Sequence, residues 1–86
     1  MIYVLESVRV ERLVVAGVDQ GQWARATEAY RNALTQAGCR VLSHSKGFKK
    51  NQLAFTVRVP RAFNAEDTER AFEALPSDLR GHYDWD

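Results

Sequence analysis

Cysteine occurs once, as Cys39, which excludes an internal disulfide and a thiolate metal cluster and fits a reduced, cytosolic setting. Charge of one sign is also missing. Twelve Lys and Arg stand against eleven Asp and Glu, a formal net charge of +1 and far from the basic balance that nucleic-acid binders carry. The longest apolar run, Leu13 to Val18, is much shorter than the ~20 residues of a membrane-spanning helix. The N-terminus MIYVLESVRV lacks the basic, long-apolar and cleavage regions of a signal peptide. No glycine-rich phosphate loop is present, and Ser43, Ser45, Cys39, His44 and His82 occur without a nucleophile elbow or oxyanion loop. The chain reads as non-enzymatic, with no cofactor and no metal expected.

What remains is globular. Hydrophobic residues are 45% and charged residues 27%, and the 86 residues make one domain, 1–86, large enough for a two-layer core. No repeat, low-complexity tract or linker divides it.

From Ile2 to Val18 the even positions are apolar apart from Glu6 and Arg12, the period of a strand. That length predicts a break or bend near Ser7 or Arg12, and Val8 to Val18 is the firmer part. On this parity Val8, Val10, Val14 and Val18 face the core. After the turn Gly17 to Gly21, the residues Trp23, Ala26, Thr27, Tyr30, Ala33, Leu34 and Ala37 recur at helical spacing, and Gly38 ends the helix in a left-handed cap. Cys39 to Ser45 and Leu53 to Val59 read as strands of a hairpin around the polar loop Lys46 to Gln52, with Leu53, Phe55, Val57 and Val59 on one face and Pro60 stopping the ladder. Asn64 is an N-cap for a second helix, whose apolar side is Ala71, Phe72 and Leu75 and which Pro76 ends. His82 to Asp86 alternates as a short last strand. The expected fold is α+β, in the order βαββαβ: a ferredoxin-like two-layer sandwich of a four-stranded antiparallel sheet with both helices on one face.

The open face of such a sheet is where binding is expected. Lys46-Gly47-Phe48 matches the opening of the RNA-reading strand of RNA recognition motifs, whose aromatic rings stack on bases. Here Lys49, Lys50 and Asn51 follow, and the strand offers Ala54, Thr56 and Arg58 where rings are needed. The match reads as a solvated hairpin tip, and no nucleic-acid partner is expected. His82, Asp84 and Asp86 share a strand face and can be read as weak ligands of a hard cation, or as the charged edge strand that discourages aggregation. The second reading is preferred, because no closed ligand set accompanies them. Cys39, directly after a helix cap, reads as a buried inert thiol. With Val10 and Val14 inward, Leu13, Val15 and Leu42 form an apolar patch on the open face among Arg9, Arg40 and Arg58, a surface for a protein partner or for self-association.

Ala33-Leu34-Thr35-Gln36-Ala37-Gly38-Cys39-Arg40-Val41, the hairpin to Val59, and Leu75-Pro76-Ser77-Asp78-Leu79-Arg80-Gly81 leading into Asp84-Trp85-Asp86 resemble the soluble C-terminal domain of the MgtC/SapB family. That domain is ACT-like, a version of the fold above. The family comprises bacterial inner-membrane proteins linked to magnesium limitation and, in pathogens, to survival inside macrophages. The resemblance implies a soluble regulatory or interaction domain on the cytoplasmic side of the membrane, associated with the bilayer only through an N-terminal transmembrane domain that is missing here. The chain is then a fragment beginning at an added Met1 or a stand-alone relative. ACT domains that sense amino acids carry an aspartate and a glycine in the turn before the first helix, and the matching positions here are Asp19 and Gly21, in a turn one residue shorter and without the usual proline. The alternative implied is therefore a small-molecule sensor acting as a dimer, with Asp19 and Gly21 at its ligand.

Overall fold

A computed structural model describes residues 9–47, 49 and 51–85. Strand β1 (Arg9–Ala16) leads through a short 3-10 turn (Gln20–Gln22) into helix α1 (Trp23–Gln36), followed by β2 (Arg40–Lys46), β3 (Gln52–Val59), helix α2 (Ala65–Glu73) and β4 (His82–Trp85). The protein is α+β, with one four-stranded antiparallel sheet in the order β2-β3-β1-β4 and two helices, an arrangement compatible with a ferredoxin-like sandwich. Among the described residues no helix is long and apolar enough to cross a membrane. The expected part of the first strand before Arg9, including Val8 and a bend at Ser7, lies outside the described residues, as do Phe48, Lys50 and Asp86.

The helices form where the sequence supplies their ends. Gly38 adopts a φ of 85°, and behind it the Cys39 N–H donates to the Leu34 carbonyl at 2.9 Å, closing the last turn of α1. At the start of α2 the Asn64 side chain accepts from the Glu66 N–H at 3.1 Å.

Leu13, Val15, Phe55, Val57 and Val59 from the sheet meet Tyr30 and Leu34 from α1 and Phe72 from α2, all of them buried. The Tyr30 ring lies 6.1 Å from Phe55 and 5.0 Å from Phe72, and Phe72 meets Tyr83 of β4 edge-on at 4.8 Å. Both helices thus cover the same side of the sheet.

This core corrects the parity expected for β1. Leu13 and Val15 are fully buried under the helices, in register with Phe55 and Leu53, whereas Val10 is 56% exposed and Val14 only partly buried. The cause is at the strand's end. Both faces of β1 are apolar from Leu13 to Ala16, so alternation does not choose between them, and the apparent even-numbered series runs on into Val18. Val18 is indeed buried, but the chain turns at Gly17, φ 85°, before reaching it, so Val18 enters the core out of phase with the strand. The register from Arg9 opposite Val59 to Ala16 opposite Gln52 is unbroken, so the strand does not break at Arg12. Arg9, at the same parity as Leu13, pairs with Glu11 at 3.5 Å instead of joining Arg40 and Arg58.

Candidate functional site: the sheet face without helices

On the face opposite the helices, strand register sets the neighbours. Val10 lies opposite Arg58, and Arg58 opposite Arg40, so one exposed row runs Val10, Arg58, Arg40 across three strands. Like charges directly opposite each other destabilise a sheet, and among the described residues neither arginine has an acid beside it. The bulge between Val41 and Ser43 leaves Leu42, on edge strand β2, 50% exposed. Arg12 and Thr56 form the next pair, then Val14 between Ala54 and Asp84, then Ala16 between Gln52 and His82. Four acids, Glu66, Asp67, Glu69 and Glu73, are exposed on α2, and Asp84 lies on the helix-free face. Among the described residues the helix-free face thus carries more basic than acidic side chains, and α2 the reverse.

A depression of about 420 Å³ opens on this face over the C-terminal half of β1. Val14 and Ala16 form its floor, and Arg12, Lys49, Gln52, His82, Tyr83 and Asp84 line it. The described residues of the hairpin at its rim are hydrogen-bonded. The Gly47 N–H donates to the Gln52 carbonyl at 2.8 Å, the Lys49 N–H to Gln52 Oε1 at 3.2 Å, and the Gly17 N–H to the Asn51 carbonyl at 3.1 Å. Asn51 sits at a φ of 58°, the left-handed region that asparagine tolerates. Gly47 has to be small, since a Cβ there would stand 2.6 Å from the Gln52 Cβ.

The residues singled out from the sequence are scattered by the fold. Of Leu13, Val15 and Leu42, only Leu42 is at the surface; the first two belong to the core and cannot meet a partner. Asp19 is exposed and precedes the 3-10 turn with no side-chain capping bond, and the Gly21 backbone has no positive φ. A Cβ at Gly21 would meet Asp19 Oδ2 at an ordinary 3.8 Å, so nothing local requires glycine there. His82 and Asp84 share the helix-free face and line the depression; Asp86 lies outside the described residues. Among the described residues no three His, Cys, Asp or Glu side chains gather as metal ligands. His44 lies on the helix side of the sheet, its ring 6.4 Å from Phe55, because the bulge shifts the parity of β2. Cys39 is buried, and loss of solvent pushes its thiol above the usual range.

The depression was not legible beforehand. Its lining comes from β1, the hairpin and β4, which only the antiparallel registers bring together. No family model, curated protein or solved structure matches the chain.

Proposed function

We propose that this chain is a regulatory or interaction domain that acts on a protein partner through the sheet face its helices leave uncovered. The row Val10, Arg58, Arg40, with Leu42 beside it on the edge strand, carries this reading. Two large apolar side chains at 56% and 50% exposure flank two arginines that no described acid neutralises. An apolar surface rimmed by charge marks an interaction site. The unbalanced arginines favour an acidic surface on the partner, and such an association weakens as salt rises.

The wider setting we propose rests on the resemblance to the MgtC/SapB C-terminal domain. In it the domain is an ACT-like variant of the sandwich, attached on the cytoplasmic side of a bacterial inner membrane to a protein tied to magnesium limitation. Antibody against this domain, applied to fractionated source cells, tests that setting. A membrane-pellet band well above 9.8 kDa supports it, and a soluble band near 9.8 kDa removes it. The surface itself is tested by Leu42→Asp and Val10→Asp. Each is expected to abolish partner or self-association while leaving circular dichroism and unfolding unchanged, and association that survives both changes overturns the reading.

A further inference from the structure

We propose that the edge strand β2 takes an added strand from a partner, an extended segment matching its seven residues with acidic side chains where it meets Arg40 and Lys46. This rests on the interaction reading and names the form of the partner.

The two edges of the sheet differ in kind. β4 is four residues long with Asp84 inside it, and short, charged edge strands resist further pairing. β2 is longer, and its middle, VLSHS, holds no Lys, Arg, Asp, Glu or Pro between the basic ends. Beyond the bulge its register with β3 is regular, from Ser43 opposite Thr56 to Lys46 opposite Leu53. Every residue from Leu42 to Lys46 is exposed, and among the described residues β2 pairs only with β3. An edge of this kind presents a row of main-chain donors and acceptors to an incoming strand.

Charge decides which strand fits. Arg40 and Arg58 face each other, both exposed, and among the described residues neither is in an ion pair. Lys46 closes the strand, also exposed, with its Nζ 5.8 Å from the centre of the Trp23 ring. A second copy pairing antiparallel over the whole strand would set Arg40 of one copy opposite Lys46 of the other at both ends. Like charges directly opposite destabilise a sheet, so β2 disfavours its own copy. An acidic side chain opposite Arg40 instead joins two guanidiniums that already face each other, and a second acid opposite Lys46 neutralises the far end. Leu42, half exposed at the bulge, adds an apolar contact beside the first. In strand addition the main chain supplies the affinity and such side-chain contacts the selection.

The probe is a blocked peptide, acetyl-Glu-Val-Thr-Val-Thr-Val-Glu-amide, titrated into the 15N-labelled protein. Saturable shifts are expected from Ser43 to Lys46, with slowed exchange at the amides there that do not bond to β3. An added strand uses one edge of the peptide. Of two N-methylated forms, one methylated at the three valines and the other at the threonines and last glutamate, one is therefore expected to bind and the other to fail. Lysine in place of both glutamates, or Arg40→Gln in the protein, is expected to weaken binding about tenfold, as for loss of a charged hydrogen bond. Val10→Asp is expected to leave peptide binding unchanged, because Val10 lies on β1, two strands in from this edge. Partner association lost with Val10→Asp, while both N-methylated peptides bind equally, would keep the interaction reading and remove strand addition. No saturable binding, equal binding of the two N-methylated forms, or equal binding of the lysine peptide overturns the proposal. So does slow exchange at every amide from Ser43 to Lys46 in the free protein, which would mean the edge is already filled, by a second copy if sedimentation shows a concentration-dependent dimer.

Discussion

The Tyr30 hydroxyl on α1 accepts a 3.0 Å hydrogen bond from the backbone N–H of Gly81, 51 residues further along the chain. The bond joins the middle of the first helix to the residue just before the last strand. Gly81 has to be glycine, because a Cβ there would overlap the Ala16 carbonyl oxygen and stand 2.8 Å from Val15 Cγ1. This close approach lets His82 and Asp84 line up beside Ala16 and Val14, so the wall of the depression depends on a tyrosine on the opposite side of the sheet.

Tyr30→Phe keeps the ring between Phe55 and Phe72 but leaves the Gly81 N–H without its acceptor. Losing the bond to this part-buried donor costs about 0.5–1.5 kcal/mol. Urea unfolding is expected to show that loss, with hydrogen exchange at Gly81 and along β4 accelerated beyond the global change. Unchanged exchange at Gly81 would show that the bond does not hold β4 in place.

The same hydroxyl sets an alkaline limit. Burial pushes the Tyr30 phenol above its usual range, and the Gly81 N–H and Arg80 only partly oppose this. Tyr83 shifts the same way through burial, then through Glu69 and Glu73. A group whose folded pKa is raised contributes stability that is complete below its unfolded pKa and lost as pH climbs through the folded one. Stability is therefore expected to be level from neutral pH to about pH 8.5, where the raised Cys39 thiol begins a first decline, with the tyrosine fall following above about pH 10. Tyr30→Phe is expected to reduce that fall, leaving the Tyr83 share. An equally steep fall in the variant would assign the whole effect elsewhere.

Much of the fold was legible because local chemistry and tertiary packing agree. Gly38 takes the left-handed cap its position demands, Asn64 caps α2 through its side chain, and β3 alternates cleanly between Phe55 inward and Thr56 outward. The parity of β1 was not legible, because Leu13, Val14, Val15 and Ala16 satisfy either face until Phe55 and Leu53 pair with them. Nor was the facing of His44, which depends on a bulge that no residue type announces. The depression joins positions as far apart as Arg12 and Asp84, and a single sequence holds no signal that pairs them.

Cys39 gives a probe of local opening. Its thiol is buried and its pKa raised, so little of the reactive thiolate is present or reachable near neutral pH. Modification by an aromatic disulfide reagent is expected to be slow in the native protein. It should accelerate with urea in step with the loss of circular dichroism, since Cys39 closes α1 through its N–H to Leu34. Rapid modification without denaturant would mean that the α1–β2 junction opens on its own.

Leu13 and Leu42 are adjacent in the expected surface patch and opposite in the fold, which makes them the sharpest test of which sheet face is the core. Leu13 has no exposure and sits against Phe55, while Leu42 is 50% exposed in the β2 bulge. Leu13→Ala removes buried methyl groups and leaves a cavity, a loss of about 2–5 kcal/mol. Leu42→Ala removes area already half in water, and the change is expected within about 0.5 kcal/mol, as for surface sites without special contacts. Chemical denaturation of the two variants side by side reads the difference directly. If Leu42→Ala were the more costly change, the helices would have to cover the opposite face of the sheet, and the interaction row and the depression would both fall inside the core.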